Sequence, residues 1–132
     1  WEQLTSDASI AAWGPATKEV KWTSSRPFGV GTTREVLALG GAMMRERFFR
    51  WEEGTRKSFA ACESTLPLFK RFAEDYIVEA DGNDTLFTWM VAIEPKDALT
   101  LPFKVIAPAV KAAFGRIPGD GQRFWAKHSQ RG

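Results

Sequence analysis

Residues 69–94 limit what this chain can become more than any other stretch, because they sort into two faces in a single antiparallel register. Asp81-Gly82-Asn83-Asp84 reads as a tight turn. Gly and Asn tolerate the positive φ such turns need, and Asp can bond its own backbone. Folding the flanks back opposes Ala80 to Thr85, Val78 to Phe87, Tyr76 to Trp89, Glu74 to Val91 and Phe72 to Ile93. Every residue in the last four of these pairs except Glu74 is apolar or aromatic. The other face pairs Glu79 with Leu86, Ile77 with Thr88, Asp75 with Met90 and Arg71 with Glu94, and is mostly polar. A slip of one residue would exchange the two faces, so the register is specified. The hairpin therefore carries an apolar face that something else must cover.

The 132 residues make one domain of ordinary size, read as 1–132, and 44% hydrophobic content can supply its core. No apolar run approaches the ~20 residues of a membrane span. A formal net charge of +2, with the charges mixed along the chain, gives no basis for nucleic acid as a partner. Cys62 is the single cysteine. It excludes an internal disulfide and suits a reducing compartment, so a cytoplasmic location is expected. Six Trp and ten Phe fit either a core of large side chains or a broad apolar cavity, and composition does not choose between them.

Residues 1–4 look like the end of a helix, and a second short helix carries Ile10 and Trp13 before Gly14-Pro15 stops it. Residues 18–23 alternate as a strand, with Val20 and Trp22 on one face. Residues 31–39 and 42–51 are two more strands. A two-residue turn at Gly40-Gly41 would oppose Arg34 to Arg47. A three-residue loop, Leu39-Gly40-Gly41, pairs Arg34 with Glu46, Glu35 with Arg45 and Val36 with Met44, and is preferred because like charges repel. Residues 56–63 form the strand before the hairpin. Beyond Pro95 the period changes. Leu99, Phe103, Ile106, Val110 and Phe114 form one helical stripe. Pro108 should kink or restart this helix, and Gly115 and Ile117-Pro118-Gly119 should interrupt it. Residues 120–128 read as a last helical piece and residues 129–132 as a frayed tail. The order is α+β: two short N-terminal helices, about six antiparallel strands and a long C-terminal helix. An apolar sheet face and an amphipathic helix cover each other when the sheet curves around the helix.

In this order the chain resembles the START and pollen-allergen helix-grip superfamily, and within it the bacterial polyketide cyclase/dehydrase-like (SRPBCC) proteins. The resemblance is carried by Trp1-Glu2-Gln3-Leu4-Thr5 with Trp13-Gly14-Pro15, by Gly29-Val30-Gly31-Thr32-Thr33-Arg34, by Glu46-Arg47-Phe48 with Trp51-Glu52, and by Asp81-Gly82-Asn83-Asp84-Thr85 with Thr88-Trp89. It implies a helix-grip fold, a curved antiparallel sheet around the C-terminal helix, whose first strand would precede Trp1. It also implies a cavity between sheet and helix for a hydrophobic small molecule, such as a lipid, polyketide or isoprenoid.

The expected lining is Trp22, Phe72, Glu74, Tyr76, Phe87, Trp89 and Val91 from the sheet, with Phe103, Ile106, Val110 and Phe114 from the helix. Glu74 is the one charged residue on the hairpin's apolar face. It is either a cavity carboxylate able to hold or move a proton, or a carboxylate at a solvent-open part of the sheet. Tyr76 could bond a ligand, though packing against Trp89 is the simpler role. Arg34 and Glu46 read as a structural cross-strand pair, and Cys62 as an inert buried thiol. His128 is the only histidine, so neither a nucleophile–histidine engine nor a two-histidine metal site is expected. No cofactor and no metal are expected. Scattered Glu and Arg against an aromatic wall favour binding over catalysis. The alternatives are a cyclase/dehydrase-aromatase type enzyme with Glu74 or Tyr76 as catalytic proton shuttle, and a protein-interaction module with a filled cavity. The expected partner is a hydrophobic ligand, with no nucleic acid and no integral membrane segment, and a homodimer is left open.

Overall fold

The structure is a computed structural model that describes residues 1–129. A four-residue helix α1 (Glu2–Thr5) and a 3-10 turn (Ser9–Ala12) precede six strands. These are β1 (Thr17–Trp22), β2 (Thr33–Ala38), β3 (Met43–Glu52), β4 (Arg56–Ser64), β5 (Phe69–Asp81) and β6 (Asp84–Pro95). A short turn (Asp97–Leu99) then leads into α2 (Thr100–Ser129). The strands pair antiparallel in chain order, β1 to β6, as one curled sheet. Four of the five connections are turns of two to four residues, and only β1 and β2 are joined by a longer loop, of ten residues (23–32), so the meander follows mostly from the turn residues. The longest hairpin has the register expected of it, Val78 on Phe87, Tyr76 on Trp89, Glu74 on Val91 and Phe72 on Ile93. Between β2 and β3, Arg34 opposes Glu46, Glu35 opposes Arg45 and Val36 opposes Met44. Charge pairing selected that register correctly.

The concave face is aromatic. Phe48 and Phe59 are fully buried, Tyr76 is 1% exposed, and Val20, Trp13, Ile10 and Leu4 pack with them. The convex face is polar. Arg56 bonds both carboxylate oxygens of Asp75, at 3.1 and 2.6 Å, and Arg45 bridges Glu35 and Glu63.

Three expectations need correction. The C-terminal segment is one helix through Pro108 and Pro118, not a set of broken pieces. Each proline removes a single backbone donor, a cost of ~3 kcal/mol or more. The helix is held on both sides of Pro108 by Phe103 and Val110 along β6, and beyond Pro118 by Trp125 against Trp13 and Phe87. Cys62 is exposed rather than buried. Phe59 and Ala61 carry the inward parity of β4, so Cys62 points the other way. The helical region Asp97–His128 is long and apolar enough, by length and composition, to cross a membrane. Lys104 and Lys111 interrupt its apolar run in the sequence without lowering its mean hydropathy below that of a span. Here it lies along the sheet, with Leu101, Val105 and Ile106 outward. Ser129 closes α2, and the expected frayed tail otherwise falls on residues 130–132, outside the described residues.

Candidate functional site

The sheet curls away from α2 and leaves two cavities between them. The first, about 480 Å³, is bounded by Val36, Met44, Phe72, Glu74, Tyr76 and Trp89 from the sheet and by Ala113, Phe114 and Ile117 from α2. Arg34, Glu46, Ile10, the segment Pro15-Ala16 and Leu66 also line it. The second, about 420 Å³, lies further along β6 under Trp89, Val91 and Ile93, opposite Phe103, Ala107, Val110, Phe114 and Pro118. Both volumes suit a small organic ligand.

A cluster of ionisable groups lies on the concave face, and Arg34, Glu46, Glu74 and Tyr76 of it line the first cavity. Alternation places Arg34 of β2, Glu46 of β3, Lys57 of β4 and Glu74 and Tyr76 of β5 on the concave face. Arg34 is 1% exposed and donates from Nε to Glu46 Oε2 at 2.6 Å and from Nη1 to Ser9 Oγ at 3.0 Å. Its guanidinium also lies over the Phe59 ring, 4.6 Å from the centroid. Lys57 is fully buried, donates to the Leu4 carbonyl, and is surrounded by Trp22, Phe48, Trp51 and Tyr76. Burial, reinforced by the Arg34 cation, holds the Lys57 amine well below its usual range.

Glu74 accepts a hydrogen bond from Trp89 Nε1 at 2.9 Å. Desolvation, with the negative Glu46 nearby as the next cause, pushes its carboxyl up to about 8. The Tyr76 hydroxyl is near enough to influence that charge but completes no hydrogen bond of its own. Burial pushes the phenol well above its usual value. At neutral pH the inner wall therefore presents a protonated acid, a neutral phenol and a matched Arg34–Glu46 pair. It can donate protons and hydrogen bonds into an apolar space. Among the described residues no group of three or more His, Cys, Asp or Glu side chains could hold a metal ion.

Of the residues expected at the site, Phe72, Glu74, Tyr76, Trp89 and Phe114 border the first cavity, and Val91, Phe103 and Val110 border the second. Three lie outside both. Trp22 stacks on Phe28 at 4.2 Å and donates its indole N–H to the Ser6 carbonyl at 2.9 Å, so its ring is spent on the core. Phe87 is enclosed by Trp13, Tyr76 and Trp125. Ile106 is 51% exposed because the stripe facing the sheet runs Phe103, Ala107, Val110, Phe114, leaving Ile106 at its edge. Sequence reasoning missed Lys57 and the inward placement of the Arg34–Glu46 pair. The parity of Phe59 in β4 was the available signal for Lys57.

The sequence matches the family described as "Polyketide cyclase / dehydrase and lipid transport" over residues 1–117. Uncharacterised proteins of Mycobacterium tuberculosis and Mycobacterium bovis are each 38% identical over 124 residues, spanning 94% of this chain and 74% of theirs. Among solved structures, Ara h 8.0201 superposes with a TM-score of 0.66 at 15% identity, over 95% of this chain and 87% of its own. The ginseng major latex-like protein 151 of Panax ginseng also gives 0.66, at 16% identity over 90% and 78%. A Thermus thermophilus protein gives 0.65, at 14% identity over 89% and 82%. These likenesses show the helix-grip fold. The chain, by its match over residues 1–117, belongs to the polyketide cyclase/dehydrase and lipid-transport family.

Proposed function

We propose that this protein binds a hydrophobic small molecule, of lipid, polyketide or isoprenoid type, in the space between its sheet and α2. The observation that carries the reading is the cavity of about 480 Å³ whose wall is mostly apolar, with one buried polar cluster and a few polar side chains, among them Arg116 and Asp120. Such a wall supplies affinity through burial, at roughly 25 cal/mol per Å² of apolar surface, while the few polar groups orient the ligand. The expected result is saturable uptake of the fluorescent apolar probe N-phenyl-1-naphthylamine. Uptake should be weakened at least tenfold by M44W or A113W, which fill the cavity, a loss of about 1.4 kcal/mol. Uptake that both variants leave unchanged refutes the site.

A second reading is an enzyme of the cyclase/dehydrase kind. It is favoured by a carboxyl held near pKa 8 beside a phenol that has no partner. Glu74 would then give a proton to, or take one from, a bound β-diketone, as a general acid or base poised near neutral pH. E74Q and Y76F should each abolish turnover while retaining probe binding. Full activity in both removes this reading.

A further inference from the structure

Trp89 and Phe114 line both cavities. Their rings meet edge to face, with centroids 6.0 Å apart, so the partition is one ring pair thick. The Trp89 side is tied down by the indole bond to Glu74. The Phe114 side rests on packing alone, because a phenyl ring has no polar handle. Beyond the partition the second cavity carries one charged side chain, Lys111, and is otherwise apolar.

The inner cavity has a defined charge character. The Arg34 cation is matched by Glu46. Glu74 adds a second carboxyl group to the same wall. Arg116 is exposed at the rim, and Asp120 there is paired with Arg123. Glu74 is uncharged at neutral pH and Glu46 is already paired with Arg34, so the inner wall offers an anionic head group no free countercharge, and burying an unpaired anion is costly. The donor left without a partner is the Tyr76 hydroxyl, buried beside Glu74. An uncharged oxygen acceptor satisfies a buried donor of this kind without bringing a charge into the apolar space.

We infer, resting on the ligand-binding reading above, that the two cavities are consecutive chambers of one tunnel. Its ligand is an elongated, uncharged molecule with a single oxygen at one end, of the long-chain alcohol or ketone class. The oxygen is held at Glu74 and Tyr76, and the chain passes between Trp89 and Phe114 into the second chamber.

The test is calorimetric titration of the full chain with unbranched primary alcohols from octanol to octadecanol and with the matching carboxylates. Affinity for the alcohols should rise about fourfold per added methylene, and keep rising past the length that fills the inner chamber. Carboxylates of equal length should bind at least tenfold more weakly. V110W and A107F both obstruct the second chamber, and circular dichroism reports whether each is folded. Either one should shorten the chain length at which affinity levels off. Levelling at the same length in wild type and a folded variant overturns the tunnel. Carboxylates that bind as tightly as alcohols overturn the ligand class. If neither series binds while N-phenyl-1-naphthylamine still does, this inference alone fails. If that probe is also refused, the binding reading fails with it.

Discussion

Glu74 sits where a carboxylate is least at home, 8% exposed on an aromatic wall and within the influence of a second acid, Glu46. Its carboxyl titrates near 8 when folded and near 4.5 when the chain is open. The folded state thus holds the extra proton between those values, and Glu74 makes stability fall as pH rises from about 4.5 to about 8. E74Q should match wild type near pH 4.5 and exceed it above pH 8 by on the order of a few kcal/mol. Urea unfolding across that range measures it, and parallel profiles for the two proteins would contradict the assignment. Lys57 acts with the opposite sign. Its amine is depressed in the fold, so the unfolded chain takes up the proton, and stability rises with pH toward the ordinary value of 10.5. K57M should remove that rise. Glu74 was legible in the sequence as the one charge in an apolar row. Lys57 was not, because a single lysine next to Arg56 looks like surface until the parity of its strand is known.

Among the elements, α2 departs most from what the sequence suggested. Prolines at 108 and 118 and glycines at 115, 119 and 121 lower helix propensity locally, yet tertiary packing keeps the helix whole. Gly121 shows how. A Cβ there would lie 3.0 Å from Trp13 Cε3 and 3.1 Å from Trp125 Cη2, so the missing side chain admits the indole of Trp13 between helix and sheet. Gly115 has no neighbour within 4 Å of the same position. G121A should therefore cost about 1–3 kcal/mol by overpacking, whereas G115A should gain up to about 1 kcal/mol from helix propensity. Thermal and urea denaturation of the two variants give the comparison, and equal effects of the same sign would refute the docking role of Gly121. The β2–β3 and β5–β6 pairs were readable residue by residue, because opposed charges and an alternating apolar row each admit one register. The contact of Trp13 with Trp125 spans most of the chain and leaves no local pattern to read.

At the level of the molecule, the family and the helix-grip architecture were legible in the order of short motifs along the chain, and the sequence match over residues 1–117 shows that family. The cavity walls were legible only in part. Strand alternation placed Phe72, Glu74, Tyr76 and Trp89 correctly on the concave face. Alternation does not say whether an inward ring meets a ligand space or another ring, and Trp22 and Phe87 were taken by neighbours from distant loops and helices. The central claim is that the space between sheet and α2 exists to be filled by an apolar molecule. Native mass spectrometry of the purified protein, followed by solvent extraction, tests it most directly. The account predicts a discrete adduct that extracts into organic solvent and is absent from M44W. A bare mass in every preparation, with no saturable uptake of N-phenyl-1-naphthylamine, would contradict it.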